Sequence, residues 1–153
     1  MPALAKGHGA EIGWRFQPNE DLTTTLALWQ LKLDSELAYV GDAGTTEPGR
    51  ASTRSGIEVT ARWRVNSALR AEVNAAWSRA RFRGLPPEGE GNYVDNAVES
   101  VLAGGLTYIE GPWTASLWLR YLGPRALDTL NTVRSGANTV LNPSAGAMQQ
   151  TGI

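Results

Sequence analysis

Along most of this chain apolar and polar residues take turns, the period-two signature of a β-strand with unlike faces. In Ala10–Phe16 the apolar side is Ala10, Ile12, Trp14 and Phe16, with Glu11, Gly13 and Arg15 opposite. In Gly56–Val65 it is Ile57, Val59, Ala61, Trp63 and Val65, against Glu58, Thr60, Arg62 and Arg64. Leu69, Ala71, Val73, Ala75 and Trp77 face away from Arg70, Glu72, Asn74 and Ala76. Trp113, Ala115, Leu117, Leu119 and Tyr121 face away from Thr114, Ser116, Trp118 and Arg120. Two segments alternate less cleanly. In Leu22–Val40 the odd positions Thr25, Ala27, Trp29, Leu31 and Leu33 read as the apolar set, and the even ones turn polar from Gln30 onward. Val101–Ile109 is apolar on both sides. Three consecutive Thr residues argue against a helix in Leu22–Val40.

The connections alternate too. QPNED, NSA and Gly111-Pro112 are short, whereas GDAGTTEPGRASTR, the stretch from Gly84 to about Ser100, and GPRALDTLNTVRSGAN are long. Antiparallel strands joined in this order put every tight turn at one end and every long loop at the other, the connection rule of outer-membrane barrels. Trp14, Trp63, Tyr108 and Trp113 sit close to the short turns, and Trp77 and Tyr121 at the long-loop ends. Two aromatic bands with small apolar residues between them fit two membrane–water interfaces. Past Trp77 the same parity carries Arg79, Arg81 and Arg83, so the strand is expected to leave the lipid there. About ten residues at ~3.3 Å each, tilted by ~40°, cover the roughly 25 Å of such a barrel's apolar band.

Composition narrows the function. Lys and Arg total 14 against 15 Asp and Glu, which argues against a general nucleic-acid binder. There is no Cys and a single His, His8, so thiol catalysis, thiolate zinc sites and His-based triads are excluded or nearly so. No apolar run approaches the ~18 residues of a membrane-spanning helix. MPALAKGHGAE lacks the apolar stretch of a signal peptide, so the chain is cytoplasmic or starts elsewhere than the natural protein does.

The stretch LALWQLKLDSELAYVGDAGTTEPGRASTRSGIEVTARW resembles the late barrel strands of TonB-dependent outer-membrane receptors. Its most specific part is SELAYVGDAGTTEP followed by R-x-G-x-E, here Arg54, Gly56 and Glu58. AAWSRARFRG is similar to the family's next upward strand, and RYLGPRALDTLNTVRSGANTVLN to its loop-and-strand pattern around Arg-Tyr-x-Gly-Pro-Arg. The likeness runs from Gly9 to Asn142. It implies a barrel of about 22 strands closed around a plug, a segment that contacts the TonB complex, and uptake of a scarce solute: an iron–siderophore complex, cobalamin or an oligosaccharide. On that expectation the chain offers six full strands and the start of a seventh. Plug, TonB-contact segment, last strands and terminal aromatic are all missing, as a premature stop, a frameshift or a deliberate fragment would each explain. TonB would then be reached only through the missing plug.

Candidate chemistry is sparse. Asp34 and Glu36, with Asp42 and Glu47 nearby, read as a polar face running into a solvated loop rather than a calcium or acid–base cluster. His8 has no partner at ligand spacing and is expected to be flexible. Glu58, Arg62, Arg64, Arg70, Glu72 and Arg120 are expected to face the lumen, the arginines pairing across strands with Glu58 and Glu72 or attracting an anionic solute. Trp118 points inward beside Arg120. Gly104-Gly105 is no phosphate loop. No catalytic residue, metal site or cofactor is expected.

The sequence therefore predicts an all-β chain, an antiparallel up-and-down meander forming part of a transmembrane barrel in a Gram-negative outer membrane. Residues 1–8 are expected to be a disordered start, 9–142 the barrel segment, and 143–153 an irregular tail. Membrane lipid and, in the intact receptor, a small solute are the expected partners. Alone, an open sheet leaves unpaired edges that cost several kcal/mol per exposed backbone group in lipid, so transport by the isolated chain is not expected. A self-contained eight-stranded barrel and a soluble β-sandwich carbohydrate binder are the alternatives.

Overall fold

The computed structural model describes residues 6–40 and 45–147, the backbone alone at 37–40 and 45–48. The described residues form nine strands and no helix: β1 (Gly7–Phe16), β2 (Leu22–Leu33), β3 (Leu37–Val40), β4 (Thr45–Pro48), β5 (Ser52–Arg64), β6 (Leu69–Phe82), β7 (Ser100–Glu110), β8 (Trp113–Leu122) and β9 (Asn138–Ala147). Seven of them make one antiparallel sheet in the order β1-β2-β5-β6-β7-β8-β9, and β3-β4 is a separate hairpin. The sheet is the meander that the alternation predicts. It does not close on itself: β1 and β9 are its two edges.

Local chemistry explains the tight turns. Asn19 Oδ1 accepts the N–H groups of Asp21 and Leu22, and Asn66 Oδ1 those of Ala68 and Leu69. These are Asx turns, in which a short side chain satisfies the backbone while the chain reverses. The third turn uses Gly111 at φ 56°, a backbone that side chains rarely adopt.

Opposite residues of an antiparallel pair share a face. One row across the sheet is Trp14, Leu26, Val59, Ala75, Leu102, Tyr121 and Thr139, and the next toward the turns is Phe16, Thr24, Ala61, Val73, Gly104, Leu119 and Leu141. On the reverse side lie Arg15, Thr25, Thr60, Asn74, Ala103, Arg120 and Val140. We call the two sides the aromatic face and the charged face.

No second layer of the described residues covers the aromatic face. Ile12, Trp14, Ile57, Val73, Leu106, Leu117 and Leu141 are all exposed. Among the described residues the buried apolar side chains are Ala75, Ala80, Val94 and Ala126. Val94 and Ala126 belong to the loops after β6 and β8, so what core exists lies at the long-loop end. Those two loops hydrogen-bond to each other, Tyr93 N–H to Thr129 O at 3.0 Å and Asn96 N–H to Ala126 O at 2.9 Å.

Four expectations are corrected. Gly7 and His8 are not a loose start: they pair with Leu33 and Lys32. The segment Leu22–Val40 is not one strand, because Asp34, Ser35 and Glu36 part β2 from β3. In β2 the even residues Leu26 and Leu28 join the aromatic face, while Thr25, Ala27 and Trp29 join the charged face. Finally, β9 continues beyond Asn142 to Ala147, with Pro143 opposite Leu117. An edge strand tolerates proline because one side of it needs no ladder donor.

Candidate functional site

The charged face is the part of this molecule with chemistry on it. Glu58, Arg62 and Arg64 come from β5, Arg70 and Glu72 from β6, and Arg120 from β8, and the register puts all six on this one side. Glu11 and Arg15 of β1 join them. Arg62 and Glu72 stand directly opposite, with Nε and Oε1 3.8 Å apart. Arg64 and Arg70 also stand opposite, a like-charge pair, and Asp21 of the first turn binds Arg64 Nε at 2.5 Å. The expected pairing thus holds for Glu72. Glu58 and Arg120 make no ion pair among the described residues.

Two hollows mark this face. One, of about 340 Å³, is lined by Glu11, Trp29 and Glu58 among others. The other, of about 250 Å³ near the short turns, is lined by Asp21, Arg62, Arg64, Arg70 and Glu72. The first hollow therefore carries acidic groups alone, and the second mixes acidic and basic ones. Two tryptophans of this face each lie over a glycine of the neighbouring strand: Trp29 opposite Gly56, and Trp118 opposite Gly105. A Cβ at Gly56 would lie 2.6 Å from Trp29 Cζ2, and one at Gly105 2.5 Å from Trp118 Cδ2. Only glycine lets an indole lie flat against the sheet there, a device known to rescue glycines in strands.

The aromatic residues Trp14, Trp63, Trp77, Tyr108, Trp113 and Tyr121 all fall on the opposite face. Trp14, Trp63, Tyr108 and Trp113 cluster at the short-turn end, where the Tyr108 hydroxyl donates to the Glu110 carboxylate. Trp77 and Tyr121 sit toward the long loops, beside Ser100 and Leu102 respectively.

At the long-loop end several charged groups hold loops to strands, and the strand alternation gives no hint of them. The Glu36 carboxylate accepts both Arg54 Nε and Nη2 at 3.0 Å and the hydroxyl of Ser52, a fully buried residue. Arg50 donates to Gly91 O at 2.8 Å and Asn92 Oδ1 at 2.7 Å, and lies 4.9 Å over the Phe82 ring. Arg81 lies 3.6 Å over Tyr93. Arg134 ties the last loop to Glu99 at 2.5 Å. Within that loop Asp128 accepts the Thr132 hydroxyl and the Thr132 N–H at 2.8 Å. The Thr132 hydroxyl, aided by nearby backbone N–H groups and opposed by burial, holds the Asp128 carboxyl below the usual range. Asp34 is bound by Arg83 at 3.3 Å, Asp42 lies outside the described residues, and the side chain of Glu47 is not described. Glu36 and Asp34 are thus both taken up by arginines, Arg54 and Arg83.

Residues 4–147 match a family model described as TonB dependent receptor-like, beta-barrel. The crystal structure of the ferric yersiniabactin uptake receptor FyuA from Yersinia pestis matches with a TM-score of 0.76 at 20% identity, over 94% of this chain. That of the ferric-catecholate import receptor Fiu from Escherichia coli K12, in its closed form, matches with a TM-score of 0.72 at 16% identity, over 96% of this chain. The chain spans 22% of the length of each of these receptors. No curated protein sequence matches it.

Proposed function

The chain belongs to the TonB-dependent receptor β-barrel family, and on that premise we propose that it forms a stretch of receptor wall in a Gram-negative outer membrane. The aromatic face meets lipid and the charged face lines the lumen. The long loops after β2, β6 and β8 face the cell exterior and take part in capturing a solute. The role is one of passage and binding, without chemistry on the solute, and energy coupling through TonB belongs to the intact receptor.

The observation that carries this reading is the register. Seven strands pair so that, between the Ile12–Trp77 row and the Phe16–Leu141 row, the large apolar rows fall on one uncovered side, with Glu58, Arg62, Arg64, Arg70, Glu72 and Arg120 on the other. A soluble protein seldom leaves such a side bare, and a sandwich would cover it with a second sheet. The separate edges β1 and β9 speak for a wall completed by further strands rather than a small closed barrel. Among solute classes, an iron–siderophore complex is favoured over cobalamin and oligosaccharides. Both solved relatives are named for ferric uptake, and Arg15, Arg62, Arg64, Arg70 and Arg120 give the charged face sites for an anion.

Reconstitution into phosphatidylcholine vesicles tests the reading. Lipids brominated in the acyl chain quench tryptophans that touch hydrocarbon. The expected result is strong quenching that falls when Trp14, Trp63, Trp77 and Trp113 are replaced by Phe, and persists when Trp29 and Trp118 are replaced. Equal losses from the two sets would contradict it.

A further inference from the structure

One arginine touches two of the three long loops and, through a glycine, reaches the third. Arg50 lies between the β3-β4 hairpin and β5. Its carbonyl oxygen accepts the Glu36 N–H at 3.0 Å, which closes the base of the loop after β2. Its guanidinium points the other way, to Gly91 O at 2.8 Å and Asn92 Oδ1 at 2.7 Å in the loop after β6. Gly91 in turn donates its N–H to Thr129 Oγ1 at 3.1 Å, in the loop after β8. A Cβ on Gly91 would overlap the Thr129 carbonyl group and stand 2.8 Å from Leu130 Cα, so only glycine lets these two loops come this close. Glu36, Arg50, Gly91 and Thr129 therefore link the three loops in series. The Arg50 side chain is 22% exposed and rests on the Phe82 ring, which holds its fork in place.

We propose that Arg50 and Gly91 are positioning residues that make the three long loops one cooperative body, opening and closing as a unit. Segments that open together share one opening free energy, whatever each contributes by itself. The planar guanidinium serves two acceptors at once, which the single ammonium of a lysine does not match. The consequence for capture rests on the reading above: a solute that stills one loop stills the other two, so its further contacts meet loops already ordered. The joining of the loops stands apart from that reading, because it needs neither solute nor membrane.

Hydrogen exchange of the full chain folded in detergent micelles provides the test. The amides of Glu36, Tyr93, Asn96 and Leu127 each donate to a backbone carbonyl, the first in the loop after β2, the next two in the loop after β6 and the last in the loop after β8. In the wild-type chain these four share one opening free energy, below that of the mid-strand amides of β5 and β6. In Arg50→Gln all four quicken by a common factor of about tenfold or more. Leu127 is included although the Arg50 side chain bonds only to the loop after β6. Arg50→Lys does not restore the wild-type rates. Gly91→Ala leaves Arg50 in place and still quickens Glu36 and Leu127 alike, while the mid-strand amides of β5 and β6 keep their rates in every variant. Unequal opening energies in the wild type, quickening confined to Tyr93 and Asn96, or sheet amides that quicken with the loops would overturn the proposal. Each of those outcomes leaves the barrel-wall reading intact.

Discussion

Trp29 on β2 lies against Gly56 on β5, its direct partner in the register, and the fit leaves no room for a Cβ between them. A Cβ on Gly56 would also come within 2.7 Å of the Trp77 carbonyl oxygen, which belongs to the backbone of β6. The three atoms nearest the equivalent Cβ on Gly105 all belong to the Trp118 ring.

That difference separates two substitutions that look alike. Gly105→Ala is relieved by moving one side chain, whereas Gly56→Ala must also shift a strand. Overpacking of this kind costs about 1–3 kcal/mol. Gly56→Ala is expected near the top of that range and Gly105→Ala near the bottom, read as urea midpoints of the chain folded in detergent.

The Trp29 indole N–H is buried without a partner. An unpaired buried donor carries a desolvation cost of about 1–3 kcal/mol. Trp29→Phe removes that donor while keeping a ring over Gly56. It is expected to match or exceed wild-type stability, and Trp29→Ala to lose about 2 kcal/mol or more.

Glu36 joins the foot of the β3-β4 hairpin to β5. Its side chain is 15% exposed and that of Arg54 32%. Glu36→Ala strands the Arg54 guanidinium and the buried Ser52 hydroxyl together. Allowing for the partial exposure of Arg54, a loss of about 2–3 kcal/mol is expected. A double-mutant cycle with Arg54→Ala measures the coupling, which should exceed that of the Arg62–Glu72 pair. In that pair Arg62 is 80% exposed, and a contribution of about 0.5 kcal/mol or less is expected.

Asp128 makes the last loop pH-dependent. Its carboxyl is lowered in the folded protein, by the Thr132 hydroxyl first and by backbone N–H groups after it. A folded value below the unfolded one means that the contribution is complete above the ordinary Asp value of about 3.9. It is lost as the pH falls through the lowered folded value. Hydrogen exchange at the Thr132 amide should therefore quicken on acidification only below about pH 4, and Asp128→Asn should remove that dependence.

How far the sequence speaks for the structure varies by element. Strands β5, β6 and β8 are legible because every second residue over most of their length is apolar while the charged residues fall on the other parity, so the two faces are unlike. In β2 both parities carry large apolar residues, Leu26 and Leu28 against Trp29 and Leu31, and only the neighbouring strands decide between them. The tail of β9 is masked by Pro143 and small residues whose pairing with β8 is set by register rather than by their own propensity. The loop anchors are the least legible. Arg50 reaches Gly91 and Asn92, and Arg134 reaches Glu99, across separations that no local pattern encodes. The six charged-face residues were legible from parity alone, whereas the two Trp–Gly contacts needed the pairing of strands.

The account rests on adjacent residues of one strand meeting different media. The chain has no Cys, so single cysteines at Val59 and Thr60, opposite Leu26 and Thr25 on β2, report their surroundings without background. In membranes, a water-soluble maleimide should label Thr60→Cys readily and Val59→Cys only after the bilayer is dissolved, when both react alike. Ready labelling of Val59→Cys in intact membranes would contradict the account.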